Sequence, residues 1–476
     1  MSLAGSCVKT NWPVVPSEHP SWSSASAQSA GCCVRVGSRI RWCYKGFVAK
    51  LPLPSQRIFA HVVAGLFFPL AGRLGLPARS TVTPKILQKM VWAGSNLGSY
   101  AMAEDAMREL AGVPVSLKRI RHVVGQVGHQ RVAEREAAVA RFKEMDLPKR
   151  QIGSTAVDPP QIAVTMMDGG RYQRRDHFGE KDRPVREKHW REDKVGCLLS
   201  MRGDGYPNDP TPELPEWLAT SSAVAELARM AEKQGISDAS EPIENQATEF
   251  SGETRYPSPK LVSREVVASS VGAESFGWQL AARAWQRGFP SAERQAFVAD
   301  GAHANWTIQR KHFSHATPIL DLMHALSYAF SAALAVPEQE VFRRWADWIW
   351  KGEVDRVIAA LRERQLQIGE PPAEASPTDP RKRVDRALTY YEYHRLRMNY
   401  PEYRRLGLPL TSSHIESTIK QINRRVKGTE KFWSPLTSEA VLQLRADYLS
   451  DSAPLVPFWL RHQARQTGAN AYIQAT

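Results

Sequence analysis

The sequence predicts an α/β protein built in parts: an all-α segment, then an α/β core, with a wholly helical insertion before the core resumes. Three observations predict it. The chain has 476 residues, about three times the usual domain size, so two or three folded units are expected. From about residue 151, short apolar runs that end in acids alternate with stretches of helical period, as in an α/β unit. Residues 336–405 carry the helical period alone, with Val341, Trp345 and Trp348 on one face and Val354, Ile358 and Leu361 on another.

Composition narrows the classes of function. With 42% hydrophobic and 24% charged residues, the chain is neither disordered throughout nor collagenous. The longest apolar stretch, 58–71, contains His61 and is too short to cross a bilayer, so no membrane role is expected. Lys and Arg number 63 against 49 Asp and Glu, a net charge of +14, which favours a polyanion such as nucleic acid. Five cysteines and no basic–apolar–small opening segment suit a reducing cytoplasm. Cys32, Cys33 and Cys43 lack the paired spacing of a zinc site and read as ordinary thiols.

Residues 1–55 are rich in Ser, Pro and Gly without a sustained period and read as a poorly ordered arm. Residues 56–150 turn helical. Tyr100, Ala103, Met107 and Leu110 make one apolar face, 112–114 break it, and Ser116 is placed to cap a second helix. That helix carries Ile120, Val123, Val124 and Val127 as a buried stripe, with Lys118, Arg119, Arg121 and Arg131 on its other faces. The outline is that of a helix-turn-helix DNA reader, with Lys118, Arg119 and Arg121 as contacts. An ordinary helical hairpin with a solvated basic face has the same outline.

In the first part of the core, 151–335, the run 161–167 suits a central strand ending at Asp168, and 195–201 a second strand. The charged stretches 171–193 and 204–265 read as loop insertions. Residues 274–287 form a helix, 296–299 a buried strand ending at Asp300, and 318–324 a strand feeding a helix through Asp321 and His324. The five tryptophans Trp285, Trp306, Trp345, Trp348 and Trp350 read as core packing, with stacking on displaced bases as the alternative. The last part, 406–476, opens on a helix over 413–427, with Ile415, Ile419, Ile422 and Val426 inward and Gly428 as its stop.

Asp168 and Asp300 each close a buried strand, where α/β sheets bind ligands. If the strands are neighbours, the two carboxylates converge and favour a hard divalent cation between them. Glu416, in the first turn of a helix that also carries Lys420, Arg424, Arg425 and Lys427, is placed to supply a third carboxylate for a two-metal site beside phosphate-binding charge. Asp-Gly is also common turn chemistry, and Ser413-x-x-Glu416 is formally a capping box, so each acid has a structural reading as well.

These residues carry a resemblance. Met166-Met-Asp168-Gly-Gly-Arg, Val298-Ala-Asp300-Gly-Ala-His-Ala-Asn-Trp306, Pro318-Ile-Leu-Asp-Leu-Met-His324-Ala and Ser412-Ser-His-Ile-Glu416-Ser, with Arg424-Arg-Val-Lys-Gly428 and Phe432-Trp433, are similar to the ordered blocks of bacterial insertion-sequence DDE transposases of the Mutator-like group. The likeness covers about 94–433 and is most specific over 413–433. It implies an RNase H-like core with a helical insertion, in which Asp168, Asp300 and Glu416 hold two Mg²⁺ or Mn²⁺ ions. It further implies cleavage at the element's terminal inverted repeats, strand transfer into target DNA, a homodimer or higher oligomer, and a cytoplasmic, nucleoid-associated protein. Asp321 and His324 match a supporting block in which many relatives have Cys-x-x-His. With Asp321 at the first position, assistance to the site and a structural role both stand. A transposase-derived DNA-binding protein that no longer cuts and an RNase H-like nuclease without strand transfer are the alternatives.

Overall fold

Alternating apolar runs build a six-stranded mixed sheet, and every residue of the candidate site hangs from it or from helices packed on it. A computed structural model describes residues 34–36, 39–41, 50–51, 82–175, 189–219, 221–233, 256–338, 340–428 and 430–467. Residues 88–458 form one compact unit; residues 1–87 with 459–476 form another. In the smaller unit the strands β1 (Val34–Val36), β2 (Arg39–Arg41) and β3 (Lys50–Leu51) pair antiparallel. The rest of the expected N-terminal arm, with Cys7, Cys32, Cys33 and Cys43, lies outside the described residues. Among the described residues no helix is long and apolar enough to cross a membrane.

The larger unit is mixed α/β with mostly helical content. Its sheet holds β4 (Ile162–Arg174), β5 (Trp190–Arg202), β6 (Lys260–Ser269), β7 (Arg294–Ala299), β8 (Thr317–Leu320) and β9 (Phe432–Trp433). The order is β6-β5-β4-β7-β8, with β9 on the far end of β4. β4, β5 and β6 pair antiparallel, while β7 and β8 run parallel to β4.

Two boundaries depart from the sequence reading. The strand expected to stop at Asp168 continues to Arg174, because β5 stays paired with it from Ile162↔Met201 through Asp168↔Val195 to Gln173↔Trp190. Residues 171–174 and 190–193 therefore belong to the β4–β5 ladder rather than to a loop. Part of the second expected loop, 260–265, is strand: Lys260, Leu261 and Val262 sit exposed on the sheet edge, where polar text does not argue against pairing. The same stretch also holds the helix Ser221–Lys233.

The first helices are α1 (Pro84–Asn96), α2 (Tyr100–Glu109), α3 (Leu117–Glu144) and α4 (Leu147–Ile152), followed after β5 by α5 (Ser221–Lys233). Ser99 and Ser116 cap α2 and α3 through their side chains. Between them Gly112 adopts φ +62°, a left-handed conformation that glycine takes without strain. Ile120, Val123, Val124 and Val127 are buried as the spacing predicts. Leu110, by contrast, is exposed, since α2 ends at Glu109 before the apolar face completes another turn. Arg131 is not part of a solvated face: its Nε donates to Asp447 at 2.9 Å.

Next come α6 (Ala273–Gln286), α7 (His303–His312) and α8 (Leu322–Ala333), then the helical insertion, α9 (Val341–Trp350), α10 (Val354–Ile368), α11 (Pro380–His394) and α12 (Tyr400–Arg405). Trp306, Trp345 and Trp350 are buried, whereas Trp285 and Trp348 are half-buried. The insertion is pinned to the core by tyrosines: Tyr391 Oη donates to the Ala325 carbonyl at 2.6 Å and Tyr400 Oη to that of Leu320 at 3.1 Å. Arg404, fully buried, reaches Asp209 through Nε at 2.8 Å and so holds the 204–215 segment.

The chain closes with α13 (Ser413–Val426), α14 (Pro435–Leu449) and α15 (Leu455–Thr467). Helices cover both sheet faces. Phe276 and Leu280 of α6 approach Gly196 on one face; on the other, Thr418 of α13 meets Cys197 at 3.2 Å and Ser438 of α14 meets Tyr172 at 3.2 Å.

Candidate functional site

Strand register brings the two aspartates side by side. β4 and β7 are parallel neighbours whose last pair is Met166↔Val298, so Asp168 and Asp300 each stand two residues further along. Asp168 is held from the far side by β5, and the Gly169 N–H donates to its Oδ1 at 2.6 Å. Asp300 has left its strand and is steadied by α7: its Oδ1 accepts from Asn305 Nδ2 at 2.8 Å and from the Ala302 N–H at 3.1 Å.

Glu416 reaches the same place from α13. Burial, then the Asp300 charge and, more weakly, that of Glu416, push the Asp168 carboxyl up to about 7, against the pull of the Gly169 N–H and of His324. The capping-box reading of Glu416 is not realised. α13 begins at Ser413 with Ser412 as its cap, which puts Glu416 one position beyond the N3 that a capping box uses.

Asp321 and His324 form the floor. Asp321 caps α8 and is buried; its Oδ1 accepts from the His324 N–H at 2.8 Å and lies 3.1 Å from His324 Nδ1. Its Oδ2 accepts from the Ser412 N–H, which ties the start of α13 to α8. Burial raises the Asp321 carboxyl, but the hydrogen bond and charge of His324 outweigh it and hold the group below its usual range. Burial alone would lower His324; the Asp321 contact and the charges of Asp300 and Glu416 push it up to about 9. Ligand atoms of Asp321, His324 and Glu416 lie within 4.8 Å of one another. Both Asp321 oxygens accept from N–H donors, which orients His324 and the start of α13.

The donor set is three carboxylates, Asp168, Asp300 and Glu416, beside one imidazole. Mutual repulsion of buried carboxylates is what a divalent cation relieves, and oxygen-rich sets suit hard ions. These residues therefore fit Mg²⁺ or Mn²⁺ better than a soft metal.

The expected DNA contacts divide. Lys118, Arg119 and Arg121 on α3, and Lys420 and Arg424 on α13, are exposed, and Lys427 is half-exposed. Arg425 is not a surface charge. It is buried, donates to the Gly94 carbonyl at 2.9 Å, and lies over the rings of Tyr100 at 4.5 Å and Trp433 at 4.9 Å. Its i+3 spacing from Ile422 turns it toward the core. Arg425→Ala is expected to cost about 2–4 kcal/mol of stability in urea unfolding, through lost buried hydrogen bonds and ring contacts. Lys420→Ala with Arg424→Ala should leave stability within about 0.5 kcal/mol.

Two residues were passed over. Asn305 bridges the two strands, donating also to the Met167 carbonyl at 3.4 Å; nothing in a lone Asn in a helix's first turn signals this. Asp193, opposite Gly170 and just beyond Asp168 on the β4–β5 ladder, is buried with both oxygens lacking a hydrogen-bond partner among the described residues. Burial pushes it up to about 6. The charged stretch 171–193 gives no sign of this, because only the pairing with β4 makes Asp193 part of a strand. No protein-family model matches the chain, and no curated protein matches it.

Proposed function

We propose that this protein is a metal-dependent DDE transposase that cleaves the ends of a DNA element and joins them to target DNA, on an RNase H-like core. The observation that carries the proposal is the convergence of Asp168, Asp300, Glu416 and His324 where the pairing of the neighbouring strands β4 and β7 ends. The strand order supports the fold: β4, β5 and β6 form an antiparallel run, β7 and β8 lie parallel on the other side of β4, and the first acid stands on β4 itself.

Bound among Asp168, Asp300 and Glu416, two Mg²⁺ or Mn²⁺ ions would activate a water or a 3′-hydroxyl and stabilise the leaving oxygen of the phosphodiester. The chain's own groups prepare that position. The Gly169 N–H and Asn305 fix the directions of the two aspartates, and Asp321 fixes the ring of His324 beside them. Lys420 and Arg424 on α13 supply exposed positive charge on the helix that bears Glu416. Synapsis of two element ends by a dimer or higher oligomer belongs to the same proposal.

The test is nicking of a labelled duplex that carries the inverted repeats flanking the gene, with and without Mg²⁺ or Mn²⁺, followed by a joining assay. Nicking with joining supports a transposase. Nicking without joining supports a nuclease, and binding without nicking a silent DNA-binding descendant. For end recognition, Arg119→Ala with Arg121→Ala should flatten the log–log salt dependence of duplex binding by about two units. An unchanged slope would make the exposed side of α3 a solvated face.

A further inference from the structure

A strip of aromatic and basic side chains leads away from Asp300, and neither the metal site nor the expected duplex contacts use it. It starts on α7, whose exposed side carries His303, Thr307 and Arg310. Thr307 Oγ1 donates to the His303 carbonyl at 3.1 Å and accepts from Arg310 Nη2 at 3.4 Å, so the three are ordered along the helix. The helical insertion completes the strip. α11 packs so tightly on the Asp300 turn that a Cβ at Gly301 would collide with the Tyr390 ring. One turn further, Tyr393 is 44% exposed, its ring centroid 6.0 Å from that of His303 and inclined to it by 31°.

Arg397 fastens this corner. Its guanidinium lies 4.5 Å over the buried ring of Trp306 and 5.4 Å over Tyr393, and Nη1 donates to the Tyr393 carbonyl at 3.0 Å. Burial and then the nearby charge of Arg310 hold Arg397 below the usual guanidinium range, so two cations share the corner. Among the described residues no carboxylate pairs with either. The neighbouring acids are engaged elsewhere: Glu392 with Arg362 at 2.7 Å and Asp355 with Arg395 at 2.6 Å. His394 adds no charge at neutral pH, since burial and the Arg397 charge lower it to about 4.

Half-exposed rings beside uncompensated cations match the chemistry of unpaired nucleotides, which offer a π-face on each base and a phosphate at each step. Duplex DNA buries its base faces in the stack and would leave Tyr393 and His303 without a partner. We propose that His303, Arg310, Tyr393 and Arg397 form a platform for single-stranded DNA, which receives the unpaired strand next to the phosphodiester held at Asp300. The assignment rests on the proposed DNA-cleaving function for its location and on the strip's own chemistry for its ligand.

The test is fluorescence anisotropy of a labelled 20-nucleotide oligothymidylate, with a labelled duplex of equal length as control, using the full chain in EDTA so that no cleavage intervenes. Tyr393→Ala is expected to weaken oligothymidylate binding about tenfold and Tyr393→Phe less than about twofold, while duplex binding stays unchanged. Arg310→Ala should lower the salt slope for the single strand by about 0.7. Both replaced side chains are exposed, and an unaltered melting temperature should accompany each. Unchanged oligothymidylate binding in Tyr393→Ala, or an equal loss for duplex, would overturn the platform. Nicking in Mn²⁺ is scored separately on the wild type. Wild-type protein that nicks while Tyr393→Ala binds oligothymidylate normally overturns the platform and leaves the metal site standing. Selective loss in Tyr393→Ala without wild-type nicking does the reverse.

Discussion

Glu416→Gln is expected to bind duplex DNA within about twofold of wild type and to nick it about 10²–10³-fold more slowly, even with raised Mn²⁺. The substitution keeps the side-chain length and removes the charge that a dication needs. Because Ser412 rather than Ser413 caps α13, Glu416 has no capping-box duty, and urea unfolding of the variant should match wild type within about 1 kcal/mol. Ser413→Ala, the control for the capping reading, should change neither stability nor nicking. Gel shift and single-turnover nicking on one preparation test the pair. A Gln variant that nicks near the wild-type rate would remove Glu416 from the site and leave two acids without a third.

Asp321→Ala should be the most damaging change to stability. It leaves the His324 and Ser412 N–H groups unsatisfied and an imidazolium without its partner, at a cost of about 3–5 kcal/mol in metal-free urea unfolding. The pH dependence separates this from a general packing loss. His324 is raised to about 9 in the folded chain from a usual value near 6.5, so the stability it contributes is complete below 6.5 and is lost as pH rises through 9. Asp321 is lowered, so its contribution is present above its ordinary value near 3.8 and is lost as pH falls through the lowered one. Wild-type protein in EDTA should therefore lose about 2–3 kcal/mol between pH 6.5 and 9, and Asp321→Ala much less. Equal slopes in the two proteins would mean that the pair does not act as a unit.

The acids were legible in the sequence because each stands where an apolar run gives way to a turn or a helix start. The strand before Asp300 and the helix bearing Glu416 have periods that text alone resolves. The ladder beyond Asp168 was not legible. Its residues, Arg171, Glu192, Asp193 and Lys194 among them, are charged, and only the partner strand across the ladder makes them strand. Arg425 misled for a related reason: a guanidinium reads as solvent-facing until two aromatic rings and a carbonyl from distant segments are brought to it. The Asp321 carboxylate kept both its readings because its partners are the neighbouring His324 and the remote Ser412, and spacing reports only the first.

The packing of α14 also governs when the site can exist. That helix lies against both α3 and β6, with Arg135 Nη2 2.8 Å from Glu439 and the Ser269 hydroxyl donating to the same carboxylate at 2.6 Å. Glu416 follows Asp168 by 416 − 168 = 248 positions, and contacts over such separations form late, after most of the chain has lost its freedom. A growing or refolding chain thus holds Asp168 and Asp300 on paired strands before it holds Glu416, and the three-carboxylate cluster is incomplete until the last helices close over those strands. In pulsed hydrogen exchange, amides of β4 and β5 should gain protection before those of α13 and α14. Simultaneous protection would show that sheet and closing helices fold as one step.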